Sequence, residues 1–328
     1  MKKIIVLALT LSLCLMSALP AMAAPDMPLI GIVQIVNHDA LDAAREGFVR
    51  VLAEEGYVDG QSITIDYRNA QGNQDTLASI ADYFVGAKAD MILAIATPSA
   101  LAVAGKTETV PILGTAITDY ESAKLVESNE HPGYNVSGTT DMNPVAEQIA
   151  LILRFVPEAK TIGLIYTSSE VNSQLQARMA KEEIEKLGLN YAEVTVNNSN
   201  DVQQAVSSIM TKCDVLYIPT DNVLAASMPL VYEASLDAKV PVICGEANMV
   251  RAGGHFTLAI DYGKLGEQTG HMAVRILRDG ALVSEMPIER LTSMNYYVNK
   301  TACDAIGLAV PEDLMMYAEE TAPHTVAP

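Results

Sequence analysis

The chain has 328 residues, half of them hydrophobic and 19% charged, which argues against disorder and gives length enough for two domains with cores of their own. Forty Asp and Glu against 21 Lys and Arg leave a net charge of -19. That balance argues against nucleic acid as a partner, because phosphate contacts need a basic face, and against an anionic membrane surface.

The first residues read as a secretory signal peptide, residues 1–23. Met1-Lys2-Lys3 is basic, Ile4 to Leu19 is almost purely apolar, and Ala21-Met22-Ala23 offers small residues at the two positions that cleavage needs. The apolar run is slightly short for a membrane span, and Leu13 before Cys14 is too large for a lipoprotein signal. Cleavage after Ala23 leaves Cys213, Cys244 and Cys303, an odd and sparse set that predicts buried free thiols rather than disulfides. No CxxC pair exists and the five His show no ligand spacing, so neither a metal nor a cofactor is expected.

Leu29 to Val36 reads as a buried strand. Leu41, Ala44, Phe48, Val51 and Leu52 then form one helix face, with Asn37 or Asp39 as its cap. Strands are expected at Ser62 to Tyr67, Met91 to Ala96 and Pro111 to Thr115, with helices at Asp75 to Val85 and Pro98 to Gly105 between them. The rhythm repeats with helices at Pro144 to Phe155, Glu170 to Leu187, Asp201 to Thr211 and Asn222 to Leu236. The strands of this half are Thr161 to Tyr166, Tyr191 to Val196, Asp214 to Ile218 and Val240 to Ile243. Phe256 to Ile260 and a helix from Gly263 to Leu277 follow. Alternating strands and helices predict an α/β fold, two Rossmann-like lobes with parallel sheets. The chain is expected to switch lobes at Gly138 to Pro144, near Ala252-Gly253-Gly254, and within Pro287 to Leu291. That makes a first lobe of 24–140 plus about 254–287, a second of 141–253 plus about 288–320, and a flexible tail over 321–328.

In open α/β sheets ligands bind beyond the carboxyl ends of the strands. The loops there place His38, Thr97, Ser99, Thr115, Ser168, Ser169, Asn172, Ser173, Asp221, Asn222, Glu246 and Asp261 as candidate ligand-binding residues. Hydroxyls at helix starts suit an anion, which the free backbone N–H groups and the helix dipole also attract. Asp221 and Glu246 suit an ammonium. An anion pocket facing a carboxylate fits a zwitterion such as an amino acid. Each of these residues has an ordinary alternative as a helix cap, so the case rests on their convergence. Tyr166 and Tyr262 are candidates for a side-chain pocket. Catalytic signals are weak: there is no GxSxG elbow, no GxxxxGK[ST] phosphate loop and no GxGxxG after the first strand.

Several stretches resemble the tryptophan/tyrosine-type solute-binding family of ABC transporters, which has the type I periplasmic binding fold with a multi-strand hinge. They are Gly31-Ile32-Val33-Gln34 with His38-Asp39-Ala40-Leu41, Ala94 to Ala100, Tyr217-Ile218-Pro219-Thr220-Asp221-Asn222, Pro241 to Glu246, and Asp261 to Gly270. The resemblance implies a monomeric periplasmic protein that closes on a small solute, an aromatic amino acid first among the guesses, and docks on a membrane permease. The chain has no Trp and four Phe, so an aromatic platform would come from Tyr. A sensor module for a membrane receptor and an exported enzyme using cleft carboxylates are the alternatives. The exported protein is expected to begin at Ala24, and its intact mass will test this: retention of residues 1–23 contradicts the cleavage site.

Overall fold

The computed structural model describes residues 27–320; the expected signal peptide and tail lie outside them. Thirteen strands form two sheets among the described residues. The first sheet takes β1 (Leu29–Gln34), β2 (Thr64–Asn69), β3 (Met91–Ile95), β4 (Ile112–Ile117), β5 (Val136–Thr140) and the later β11 (Glu289–Arg290). Its order is β11-β5-β4-β3-β1-β2, parallel throughout. The second takes β6 (Thr161–Thr167), β7 (Asn190–Val196), β8 (Val215–Ile218), β9 (Val242–Cys244), β10 (Phe256–Ala259), β12 (Asn295–Asn299) and β13 (Ala318–Glu319). Its order is β13-β12-β10-β9-β8-β6-β7, parallel except where β12 runs against β10.

The helices of the first lobe are α1 (Asp39–Glu54), α2 (Gln74–Gly86) and α3 (Thr97–Ala104). Those of the second are α4 (Val145–Phe155), α5 (Val171–Lys186), α6 (Ser199–Met210), α7 (Asn222–Ala226), α8 (Met228–Ala238) and α9 (Ala247–Arg251). Next come α10 (Tyr262–Asp279) and α11 (Lys300–Ile306). Central strands such as Met91–Ile95 are wholly buried, because helices cover both faces of a parallel sheet. In the second lobe one face packs Ile165, Val206, Leu216 and Met228, and the other packs Ile149, Leu164, Tyr217 and Phe256. Phe155 stacks on Phe256 with ring centroids 3.8 Å apart.

Several readings change. The Gly253-Gly254 pair is not a lobe boundary. The N–H of Gly254 donates to the Met249 carbonyl (2.9 Å), so the glycines close off α9, and β10 stays in the second sheet. The second crossover falls after Ala259, and the third after β11, which belongs to the first sheet. β5 was hidden because its buried interior carries Ser137, Gly138 and Thr139, residues that read as a turn. The Ser137 hydroxyl instead donates to the Met286 carbonyl (2.7 Å), and Thr139 bonds Thr115 and Thr269. The helix expected over 222–236 breaks at Ser227. The N-cap of α1 is His38, without a side-chain cap bond, rather than Asn37 or Asp39. Cys213, Cys244 and Cys303 are free thiols.

After the second crossover the chain returns to the first lobe and lays α10 against α1. Two glycines set the spacing. A Cβ on Gly266 would stand 1.9 Å from the Ala44 carbonyl oxygen, and one on Gly47 would stand 2.2 Å from that of Gly263. Backbone cannot yield as a side-chain tip can, so Gly266→Ala is expected to lower stability by about 1–3 kcal/mol in urea unfolding. Unchanged stability would show that the helices part without cost.

Candidate functional site

Loops after β1, β4 and β5 of the first lobe face loops after β6, β8 and β9 of the second across an inner cavity of about 20 Å³. His38, Thr118, Asp141 and Tyr262 line one side, and Asn172, Thr220, Asn222 and Glu246 the other. It shares His38, Ala225 and Glu246 with an adjoining cavity of about 150 Å³. It shares Asn172 with another of about 320 Å³, lined by Thr97, Pro98 and Ser169 from the loop after β3 and the loop after β6. Larger hollows of about 670 and 720 Å³ lie elsewhere. The difference that matters is polar. Seven buried side-chain polar atoms have no hydrogen-bond partner among the described residues, and five belong to His38, Thr97, Ser99, Asp141 and Asn172. None of these residues lines either larger hollow.

In the first lobe the chain passes from β3 straight into α3 through Ala96, at φ 77° and ψ 154°. Only glycine adopts this region readily, and the strain costs about 1–3 kcal/mol. The turn is held by the Ala96 N–H donating to the Thr115 carbonyl (3.0 Å) and the Ala100 N–H donating to the Ala96 carbonyl (3.2 Å). It presents the Thr97 and Ser99 hydroxyls, both buried and unpartnered, at the opening turn of α3. Asp141 stands where the chain leaves β5 for the other lobe. Its Oδ2 accepts from the Tyr262 hydroxyl (2.5 Å), while its Oδ1 has no partner. Burial raises the pKa of this carboxyl.

The second lobe is already braced. Asp221 Oδ1 accepts from the Thr167 hydroxyl (2.8 Å) and the Leu224 N–H (2.9 Å), and its Oδ2 accepts from the Thr167 N–H (2.6 Å). Glu246 accepts from the Asn248 and Met249 N–H groups (2.6 and 2.7 Å) and caps α9. Glu170 Oε2 accepts from the side-chain and backbone N–H of Asn222 (2.6 and 3.2 Å) and from Asn172 Nδ2 (3.3 Å). Burial pushes Glu246 up to about 7. Burial raises Glu170 and Asp221 too, and the charge of Asp221 raises Glu170 further. Among the described residues, no Lys or Arg lines the three cleft cavities.

Two side-chain bonds cross the seam. His38 Nε2 lies 3.3 Å from Asn222 Oδ1, and the Thr118 and Thr220 hydroxyls are 3.2 Å apart. The Thr220 hydroxyl donates to Gln176 Oε1 (2.7 Å).

Of the expected residues, the structure brings His38, Thr97, Asn172 and Asn222 to the cleft cavities, with Ser169 exposed at the mouth, while Ser99 is buried and lines none of the three. Asp221 and Glu246 line the cavity, and each of their oxygens already accepts a hydrogen bond from within the second lobe. Thr115 accepts from Thr139 beneath the site (3.3 Å), Ser173 donates to the Thr220 carbonyl (2.9 Å), and Ser168 turns away to Asn197 (2.7 Å). Asp261 accepts from the Lys264 N–H (3.0 Å) and lines none of the three cavities. Tyr166 bonds Glu193 on the outer strand β7, whereas Tyr262 does reach the cleft. Sequence reasoning missed Asp141, Glu170 and Thr118. The one signal for Asp141 was an acid inside a stretch of turn formers.

The raised carboxyls make stability depend on pH. An acid whose pKa is higher folded than unfolded keeps its proton in the native state after the unfolded chain has lost it. The folded form then binds more protons, and stability falls as pH rises past the ordinary carboxylate range toward the raised value. Burial lowers the pKa of His38 and His255, which act in the opposite sense below about pH 6.5, so the decline in thermal stability is expected between about pH 7 and about pH 8. Glu170→Gln, which keeps an acceptor for Asn222, should flatten the decline; an identical profile would show that Glu170 stays ionised.

The model of ABC transporter substrate binding proteins matches residues 29–322. A tyrosine-binding protein of Clostridioides difficile is 41% identical over 279 residues, which is 85% of this chain and 81% of that protein. A solved ABC domain from Streptococcus pneumonia in complex with L-Trp is 34% identical, covering 90% of this chain and all of that one, with a TM-score of 0.86. A substrate-binding protein with adhesive properties from Clostridium difficile, solved ligand-free and open, is 44% identical at the same coverage, with a TM-score of 0.68. Identity and superposition rank these two in opposite order, the ligand-bound structure superposing better than the ligand-free, open one. The bonds across the seam here are those of a closed arrangement. With its match to the family model spanning almost the whole described chain, the protein belongs to the ABC transporter substrate-binding family.

Proposed function

We propose that this chain is the extracytoplasmic binding component of an ABC importer, a monomer that closes on an α-amino acid and presents it to a membrane permease. Its role is binding rather than catalysis, and the leader at residues 1–23 directs its export. The observation that carries the ligand class is the sorting of the unpartnered atoms. Thr97 and Ser99 offer hydroxyl donors at a helix start, where a carboxylate is also favoured by the dipole. Asp141 Oδ1 and Asn172 Oδ1 offer acceptors, which an ammonium supplies with N–H groups.

The ligand joins groups that only the closed state assembles. Thr97 and Asp141 come from the first lobe and its crossover, Asn172 from the second. A solute shifts the balance toward closure only by the affinity it gains there, and pairing these buried atoms supplies the gain. The relatives that bind tyrosine and tryptophan support an aromatic side chain. A soluble form starting at Ala24, titrated calorimetrically with L-tyrosine and L-tryptophan, should bind at least one. Asp141→Asn keeps an oxygen for Tyr262 but loses the charge, and should weaken binding by about 2–5 kcal/mol. Unchanged affinity would remove Asp141 from the ammonium site.

A further inference from the structure

His38 carries a polar atom that neither charged group of an amino acid needs. Glu170 Oε2 accepts from both N–H groups of Asn222, which turns the amide nitrogen to Glu170 and leaves the amide oxygen facing His38 Nε2. An amide oxygen only accepts, so Nε2 bears the ring proton. Nδ1 of the neutral ring is therefore a lone pair, and it is buried without a partner among the described residues. His38 also stands at a definite place along the seam. It lines the inner cavity and the one of about 150 Å³, whereas Thr97 lines the cavity at the other end. A ligand with its carboxylate at Thr97 and its ammonium at Asp141 thus directs its side chain toward His38. There Ala225, Ala226, Pro229, Met249 and Ala252 offer apolar wall for a ring.

We infer that His38 determines specificity: its Nδ1 accepts a hydrogen bond from a donor at the far end of the ligand side chain, a phenol hydroxyl or an indole N–H, and so disfavours phenylalanine. The inference rests on the amino-acid reading of the cleft. A phenylalanine ring would cover the lone pair and supply nothing to it, and sites built around a substrate hydroxyl reject analogues that lack it.

The test is calorimetric affinity for L-tyrosine, L-tryptophan and L-phenylalanine, with the wild type and with His38→Phe. The wild type should hold tyrosine or tryptophan at least about tenfold more tightly than phenylalanine. His38→Phe should bring that ratio near one. The ratio is the informative quantity, because losing the bond to Asn222 weakens closure on every ligand alike. The imidazole makes no cap bond to α1, so the substitution removes no helix cap. His38→Asn, which can offer an oxygen near the position of Nδ1, should restore part of the preference and serves if His38→Phe misfolds. An unselective wild type overturns the inference, as does a ratio that His38→Phe leaves unchanged. Equal loss of all three ligands would overturn it too, placing the ring on the ammonium or on closure alone. If none of the three binds wild type, the aromatic reading of the ligand fails and this inference with it.

Discussion

A polar atom shut away from water needs a partner, and this molecule meets that demand nearly everywhere except along one seam. Leaving a buried donor or acceptor unpaired costs about 1–3 kcal/mol, so a group of such atoms in one place works against closing the lobes upon each other. The two bonds that cross the seam offset part of this. A solute that satisfies the remaining atoms offsets more, and in doing so becomes part of the closed structure.

The two lobes prepare for this differently. In the second, acids, amides and hydroxyls are bonded mainly to one another: Asp221 to Thr167, Glu170 to Asn222, Gln176 to Thr220. That network holds its loops in place and spends most of its polar capacity internally. The first lobe instead exposes bare hydroxyls to the seam on a strained turn at Ala96, fixed by its bond to β4. One side supplies rigidity and the other supplies unsatisfied donors. Among the described residues neither supplies a Lys or Arg, so hydroxyls and helix-end amides are the donors on offer to an anionic group.

Much of the architecture was legible because fully buried parallel strands leave unbroken apolar runs, as in Met91–Ile95 and Thr161–Thr167. β5 was not, because its hydroxyls are buried against another strand, a helix and a loop carbonyl, and composition cannot tell such a strand from a turn. The Gly253-Gly254 pair shows the same limit, since a helix terminator and a linker have one appearance. The site loops followed from topology alone. Roles within them did not: Asp221 and Asp141 are both acids beside a strand end, and only three dimensions show that one accepts three hydrogen bonds from its own lobe while the other has an oxygen without a partner. Glu170 was obscured by the hydroxyls around it in Thr167 to Ser173.

The late return of α10 to α1 also sets an order of assembly. Made from its N-terminus, the chain has five of the six strands of the first sheet by Thr140, yet lacks the helix whose Gly266 seats on Ala44 and the edge strand at Glu289–Arg290. The first lobe thus waits, unfinished, while the whole alternating run of the second is synthesised. The packing of the first-made lobe is therefore completed by residues from the last quarter of the chain, and the two ends of the sequence are tied into one structural unit.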